Sequence, residues 1–266
     1  SPENFHYVTG FGGHQHTVSR QPGFSVAVVS AREDVPTQLT TMDFEVPTFE
    51  KKSAGRFIIK KYDTWVGLKT WDEIANGAMI PPPAVMESSL DVVKKMVREM
   101  DLADKKLGLE MEYLPVLCYN DIAAAFPEAK LENISDLFVF ARSVKTPEEI
   151  EMFRTLCRVA DEGFTAVSKI AKPGVSEREL VETFRRTVNA TGLAVPSAWS
   201  MFSTGESGSR LTLPGDGVIQ KGDVVKFDAG VNAEFDSYTT DSSRSWVMEG
   251  ADPVLYKLKD RLYEGL

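Results

Sequence analysis

Two aspartates near the end of the chain have the type and spacing of a paired carboxylate site. Asp228 ends the apolar run Val224–Asp228, and Asp241 comes just before the next strand-like segment, 13 positions later (241 − 228). This separation is too long for one helical face but suits two strands of a hairpin, where cross-strand side chains lie about 5 Å apart. Two carboxylates held that close repel, so one takes up a proton or a cation lies between them.

A divalent cation between two such carboxylates would supply hydrolytic chemistry. Carboxylate oxygens suit Mg²⁺, Mn²⁺ and Fe²⁺ and are compatible with Zn²⁺. Two metal ions about 3.5–4 Å apart generate a hydroxide near neutral pH and polarise a carbonyl group. The alternative is that acidic residues here only shape turns, which is how we interpret Glu234 and Asp236. The spacing alone leaves both interpretations open.

The segments around the two aspartates are predicted to form a hairpin. Gly222-Asp223 is typical of a turn, Val224–Asp228 of a strand and Arg244–Met248 of a second strand. Asp223 is therefore interpreted as a turn residue. Arg244 is a candidate ion-pair partner for one of the acidic groups, since a nearby cation reduces the repulsion between carboxylates.

Two helices with strong start signals precede this hairpin. Thr146 with Glu149, and Ser176 with Glu179, match capping boxes, in which two side chains satisfy backbone N–H groups at a helix start. The first helix is predicted to end at Lys172–Gly174. Its apolar residues recur at helical spacing: Ile150, Phe153, Cys157, Ala160, Phe164, Val167 and Ile170. We expect these helices to begin a second domain, with the boundary between residues 138 and 147.

Residues 1 to about 140 alternate between strand and helix patterns, which is typical of a small α/β domain. The patterns predict helices at 89–100 and 114–126. Strands are predicted at 6–9, 24–30, 56–60 and 106–111.

Composition excludes several classes of function. The net charge of −9, from 30 basic and 39 acidic residues, disfavours nucleic acid and anionic membranes as partners. No apolar run approaches the roughly 18 residues that span a bilayer, and no signal peptide opens the chain. Cys118 and Cys157 lie in helix-like segments and are not part of a framework of closely spaced cysteines, so we interpret them as small buried apolar residues. We expect the protein to be cytoplasmic. The chain lacks an initiator Met and stops inside an amphipathic pattern, so we expect it to be part of a longer protein.

Several motifs together resemble a known family. Residues 222–230 and 237–245 resemble the signature of the family that contains methionine aminopeptidase, aminopeptidase P, prolidase and creatinase: Gly-Asp, apolar residues, Asp-x-Gly, then Tyr-x-x-Asp-x-x-Arg-[Thr/Ser]. Residues 1–11 resemble the opening strand of a creatinase-type N-terminal domain. Residues 142–150 resemble the segment that leads into the catalytic domain.

The resemblance implies a fold and a metal site. We expect a creatinase-type N-terminal α/β domain at 1–140, followed at 141–266 by the first half of a pita-bread α+β catalytic domain. Asp228 and Asp241 occupy the positions of the family's two metal-binding aspartates. The remaining ligands, a histidine and two glutamates, would come from a second half that is absent here. With that half present, two divalent ions (Mn, Co, Zn or Fe) are expected.

The implied function is a metal-dependent hydrolase resembling Xaa-Pro dipeptidase or aminopeptidase, acting on a small peptide or other small molecule as a homodimer. Peptidases of the family carry a histidine upstream, at a position that falls at or beside Leu211, and leucine cannot donate a proton. The loop between the aspartates is also longer than usual in the family. Two alternatives therefore stay open: a creatinase-like C–N hydrolase or lyase, and a metal-free module that binds a protein partner.

Three further residues are candidates for substrate binding. Arg210 suits a carboxylate, which arginine binds through two hydrogen bonds; the alternative is an ordinary surface arginine. His14 and His16 alternate, which places both on one face if the segment is extended, with polar loop residues as the alternative. The resemblance implies that such an N-terminal loop reaches the active site of a neighbouring subunit. Trp199 and Phe202 are candidates to line a pocket, with core packing as the alternative.

Overall fold

The structure is a computed structural model that describes residues 1–64, 70–77, 89–205, 213–234 and 237–265, without the side chains of residues 198 and 199. The chain divides into two compact units, residues 1–144 and residues 145–266. Each unit is described by itself below.

The first unit mixes short strands with helices. Its helices are α1 (Pro2–Thr9), α2 (His14–Ser19), α3 (Val46–Ser53), α4 (Trp71–Ala75), α5 (Ser89–Glu99), α6 (Val116–Ala125) and α7 (Ser135–Ser143), with a 3₁₀ turn at Asp43–Glu45. Its strands are β1 (Val26–Val28), β2 (Gln38–Met42), β3 (Ile58–Tyr62), β4 (Lys106–Leu109) and β5 (Lys130–Asn133). β2 pairs antiparallel with β1 and parallel with β3, while β4 and β5 form a separate parallel pair.

The predicted helices at 89–100 and 114–126 are confirmed as α5 and α6, and the strands at 24–30, 56–60 and 106–111 as β1, β3 and β4. The predicted strand at 6–9 is wrong, because these residues belong to α1. The Ser1 hydroxyl accepts a hydrogen bond from the Asn4 backbone N–H, Pro2 lies in the first turn, and Gly10 ends the helix in the left-handed conformation. These capping residues outweigh the strand propensity of four residues.

The second unit places three antiparallel strands against two long helices. Its helices are α8 (Pro147–Ile170), α9 (Glu177–Ala190) and α10 (Pro253–Glu264), and its strands are β6 (Val195–Ser203), β7 (Val224–Asn232) and β8 (Ser242–Val247). The sheet order is β6-β7-β8, so the strand with Asp228 lies in the middle. Both predicted capping boxes are confirmed at the starts of α8 and α9.

The two faces of β7 have different roles. Val225, Phe227, Ala229 and Val231 are fully buried in the core formed with α8 and α9. Asp228 lies between them in sequence and therefore projects from the opposite face, because side chains alternate along a strand. The core thus fixes the strand while leaving the other face for polar side chains.

Aromatic packing holds β7 in place. The ring centroid of Phe227 lies 5.4 Å from that of Phe164, 5.2 Å from that of Phe184 and 5.2 Å from that of Phe202. Phe202 is fully buried in this cluster, so it is a core residue and not part of a pocket lining. Full burial of each such ring contributes about 1.5–3 kcal/mol.

The helical location of both cysteines is confirmed, but their predicted burial is wrong. Cys118 in α6 is half-buried and Cys157 in α8 is exposed, and both are free. In α8 the buried face passes through Leu156, Ala160 and Phe164. Cys157 lies about 20° beyond Phe164 around the helix, at the edge of that face, and is exposed there.

Among the described residues, no helix is long and apolar enough to cross a membrane.

Candidate metal centre

The register of the hairpin brings Asp228 and Asp241 to one face of the sheet. Asp228 pairs with Ser243, and the pairing continues to a bridge between Asn232 and Thr239. In this register Gly230 stands opposite Asp241, so the two aspartates are diagonal neighbours and not direct cross-strand partners. Diagonal positions have Cα atoms about 7–8 Å apart, and their side chains still interact. The predicted hairpin is confirmed, with this correction to the pairing.

The two carboxyl groups interact directly. Burial raises the pKa of Asp228 above its usual range, and the negative charge of Asp241 and a hydrogen bond between the two carboxyl groups raise it further. A raised pKa means that the second negative charge is unfavourable at this position. A divalent cation between the oxygens would remove this cost, so the donor set fits a hard or borderline metal ion.

Thr240 fixes the backbone next to Asp241. Its N–H donates to the Val231 carbonyl at 2.9 Å, and its hydroxyl accepts from the Val231 N–H at 3.1 Å. Thr240 is buried, so water does not compete strongly for these bonds. The backbone next to Asp241 is therefore held by two hydrogen bonds across the hairpin, and this limits where its carboxylate can lie.

Tyr238 anchors the same hairpin to α8. Its hydroxyl donates to Glu149 Oε1 at 2.8 Å, and its ring meets the ring of Phe153 edge-on with centroids 5.5 Å apart. Its carbonyl accepts from the Ala233 N–H at 2.9 Å. The motif Tyr-x-x-Asp marks this residue in the sequence, but the partner on α8 is 89 positions away. Only the folded structure identifies that partner.

The interpretation of Arg244 as a partner of the acidic pair is wrong. Arg244 donates to Asp161 Oδ1 at 2.8 Å, and its guanidinium lies 5.0 Å from the ring centroid of Phe164. In the strand register it stands opposite Phe227, on the core face. Because Arg244 is three positions after Asp241, strand alternation turns it to the other side of the sheet.

The other acidic residues of this region have separate roles. The Asp223 carboxylate accepts from the Gln220 N–H at 2.7 Å, which confirms its interpretation as a turn residue. Glu234 is exposed in the hairpin turn, and Asp236 lies outside the described residues.

His14 and His16 do not share a face. They lie in α2, and two helical residues in this relation are about 200° apart around the axis. His14 is exposed, whereas His16 is 3% exposed and packs edge-on against Phe5, with ring centroids 5.8 Å apart. Burial lowers the pKa of His16 to about 4, so its imidazole is neutral at pH 7. The segment is helical and not extended, so it does not place these two side chains on one face.

The remaining candidates fall on parts of the chain that the structure leaves undescribed. Arg210 and Leu211 lie outside the described residues, as does the side chain of Trp199. Within the described ranges, no group of three or more His, Cys, Asp or Glu side chains comes together.

Comparison with known proteins identifies the family. Residues 1–144 match the Creatinase/Prolidase N-terminal domain, and residues 151–266 match Metallopeptidase family M24. The chain belongs to the creatinase/prolidase family, which confirms the resemblance of its sequence motifs. It is thereby related to peptidases and other hydrolases.

Individual relatives are distant and longer than this chain. "Uncharacterized peptidase YqhT" of Bacillus subtilis (strain 168) is 28% identical over 145 residues, which cover 53% of this chain and 40% of that protein. The X-Pro aminopeptidase from Thermotoga maritima MSB8 aligns with a TM-score of 0.74 and 20% identity, covering 99% of this chain and 64% of that one. The Xaa-Pro dipeptidase from Bacillus anthracis aligns with a TM-score of 0.75 and 21% identity, covering 98% of this chain and 62% of that one.

These structural matches confirm the predicted fold class, a mixed α/β chain of the pita-bread type. This chain spans less than two thirds of the length of these relatives. The activity of a complete protein therefore belongs to the proposal that follows.

Proposed function

We propose that this chain supplies part of the metal centre of a metal-dependent hydrolase that acts on Xaa-Pro dipeptides or on the N-terminal Xaa-Pro bond of short peptides. The observation that carries the proposal is the placement of Asp228 and Asp241 on one face of the sheet. Burial and, after it, the interaction with Asp241 raise the pKa of Asp228. A carboxylate pair of this kind favours a bound cation.

Each residue around the pair has a defined part in this proposal. Asp228 and Asp241 would hold divalent ions through their carboxylate oxygens. When bound, such ions supply a hydroxide near neutral pH and polarise the scissile carbonyl. Thr240 and Tyr238 orient the hairpin that carries Asp241, and Phe227 fixes the strand that carries Asp228. The remaining ligands would come from a second half of the catalytic domain.

The relatives support the substrate class. The two solved structures described above are an X-Pro aminopeptidase and an Xaa-Pro dipeptidase. The chain aligns with nearly its whole length to each, which favours a substrate of the same kind for the protein that contains it. We include a homodimer and Mn²⁺ or Co²⁺ as the activating ion in the proposal; light scattering and metal-dependent turnover test them.

One observation favours a second function on the same metal site. Leu211 stands at or beside the position where peptidases of this family carry a histidine, and a leucine side chain has no proton to donate. This favours a C–N hydrolase or lyase of the creatinase kind. Turnover of an amidino or betaine-like compound, with no cleavage of Xaa-Pro dipeptides by the same metal-loaded protein, would select it.

Metal binding by the protein that contains this chain tests the proposal directly. A ligand at 100 times its Kd stabilises the folded state by about 2.7 kcal/mol. We therefore expect Mn²⁺ to raise the melting temperature of the wild type and of Asp260→Asn, a control that removes an exposed acidic group of α10. Asp228→Asn and Asp241→Asn should lose this response.

Each outcome of the titration has a clear meaning. An equal Mn²⁺ response in Asp228→Asn and in the wild type would refute Asp228 as a ligand. A response retained by all variants would indicate binding elsewhere. Cleavage of an Xaa-Pro dipeptide by the protein that contains this chain, with loss in both aspartate variants, would support the proposed reaction.

A further inference from the structure

Glu177 is a buried carboxylate to which the metal centre gives no role. It is the first residue of α9 and is only 5% exposed. Within the ranges that the structure describes, no Lys or Arg forms an ion pair with it. The adjacent Arg178 pairs instead with Asp216 at 3.1 Å. Burying a charge is unfavourable unless hydrogen bonds compensate for lost water. The partners of Glu177 therefore explain why a charged residue occupies this position.

The carboxylate joins two distant points of the chain. Glu177 Oε1 accepts a hydrogen bond from the Thr204 hydroxyl at 3.0 Å, and Oε2 accepts one from the Gly215 N–H at 2.9 Å. Thr204 follows the last residue of β6, and Gly215 lies on the return path toward β7. One side chain thus fixes the point where the chain leaves β6 and a point where it comes back.

The backbone around Glu177 reinforces this arrangement. The Glu177 N–H donates to the Gly217 carbonyl at 2.9 Å, and Ser176 forms an antiparallel bridge with Val218. A Cβ on Gly217 would lie 2.6 Å from Glu177 Oε1 and 3.2 Å from Thr204 Oγ1. A contact of 2.6 Å does not occur in practice, so any side chain at position 217 would require the Glu177 carboxylate to move. The residue types at 177, 204 and 217 fit one another.

The first fixed point follows the strand that pairs with β7. In β6, Met201 pairs with Asp228 of β7, and Ser203 pairs with Lys226. Thr204 is the next residue, so strand alternation places its side chain on the core face, opposite the face that carries Asp228. Its hydroxyl therefore fixes the point where the chain leaves the sheet from the side of α9.

We propose that Glu177 is a positioning residue that fixes Thr204 and Gly215 relative to each other and so holds together the two ends of the segment between them. Its carboxylate carries this role because it accepts from both points at once. This positioning does not depend on the proposed function.

Limited proteolysis tests the positioning without any need for activity. Arg210 is the only Lys or Arg between Arg186 and Lys221, so trypsin reports on this part of the chain at a single bond. The variant Glu177→Gln keeps the shape, but it replaces one acceptor oxygen by an NH2 group that cannot accept and leaves a neutral acceptor in place of the other. Because hydrogen bonds to charged groups are stronger than neutral ones, we expect cleavage after Arg210 to become at least about tenfold faster.

Matched variants separate this effect from others. Glu179→Gln removes one negative charge from the same helical turn, but its partner is Ser176, so cleavage after Arg210 should stay at the wild-type rate. Thr204→Val removes the hydroxyl donor and should increase cleavage, whereas Thr204→Ser keeps the donor and should restore the wild-type rate. Cleavage within residues 1–144 should be unchanged in every variant.

Two results would overturn the proposal. One is a wild-type rate of cleavage after Arg210 in Glu177→Gln. The other is an equal increase at all tryptic sites, which would indicate global unfolding. Absence of turnover in the wild type would refute the proposed function alone, because the proteolysis result stands without it.

Discussion

Protonation of the buried imidazole of His16 should destabilise the first unit in mild acid. The side chain is 3% exposed, and neither ring nitrogen has a hydrogen-bond partner among the described residues. Burial, followed by the nearby N-terminal ammonium group, lowers its pKa from 6.5 to about 4. The unfolded chain therefore binds the proton more tightly than the folded one. Stability from this group is complete above pH 6.5 and is lost as the pH falls from 6.5 toward 4.

The pKa difference sets the size of the effect. Each pKa unit corresponds to about 1.4 kcal/mol, so a shift of this size gives roughly 3 kcal/mol when the group is fully titrated, and roughly 2.5 kcal/mol at pH 4.5. A loss of this size is a large part of the free energy of unfolding of an ordinary domain, which is about 5–15 kcal/mol.

Urea unfolding at pH 7 and at pH 4.5 measures this loss. His16→Leu replaces the imidazole by a group that does not titrate, so the variant should lose roughly 2.5 kcal/mol less than the wild type between these values. His14→Leu, at an exposed position of the same helix, should behave as the wild type does. Acidic residues titrate equally in all three proteins and cancel in the comparison. Parallel losses in the wild type and His16→Leu would refute the assignment of a neutral, buried imidazole.

Three other predictions concern the second unit. In the absence of metal, Asp228→Asn should raise the melting temperature at pH 7. The pKa of Asp228 is raised in the folded protein, so its negative charge is unfavourable above that pKa. An unchanged melting temperature in a thermal scan counts against this electrostatic account. Tyr238→Phe removes the hydrogen bond to Glu149 and should lower the free energy of unfolding by about 1 kcal/mol in a urea titration. Tyr256→Phe, which removes a hydrogen bond to the Met248 carbonyl, serves as a comparison. Phe227→Ala should cost about 3–5 kcal/mol, since it empties the centre of the aromatic cluster, and a loss below about 1 kcal/mol would show that the core closes over the gap.

The sequence predicted the elements whose signals are local. The capping boxes at Thr146 and Ser176 specify the starts of α8 and α9 through contacts within four residues. The amphipathic pattern of α5 likewise places Val93, Met96 and Val97 on one buried face. Such patterns are readable because both partners of each contact lie close together in the chain.

The missed elements depend on distant contacts. β2 (Gln38–Met42) is buried at every position although three of its five residues are polar, because β1 and β3 flank it and α5 packs against the sheet. Gln38 and the threonines therefore gave no apolar pattern to recognise. For α8, the pattern identified the helix but misjudged Cys157, since the facing elements decide which part of an apolar stripe is buried.

The candidate site shows the same division. Spacing and residue type identified Asp228 and Asp241, and strand pairing then determined that they are diagonal neighbours on one face. Arg244 was misassigned because its true partner, Asp161, is 83 positions away on a helix. The role of Glu177 was invisible in the sequence, where it is one of two acidic residues in the first turn of a helix.

In the hairpin that carries Asp241, the paired part of the two strands is fixed independently of the tip that joins them. The hydrogen bonds between Val231 and Thr240 and the Asn232–Thr239 bridge fix the strand register before the chain reaches the tip. Residues added at the tip between 234 and 237 would lengthen the loop without shifting the two carboxylates. One residue added between Thr240 and Asp241 would instead turn the carboxylate toward the core, because strand side chains alternate. The tip is therefore the place where evolution can vary the length of this segment, and where a peptide tag can be inserted, with the metal ligands kept in register.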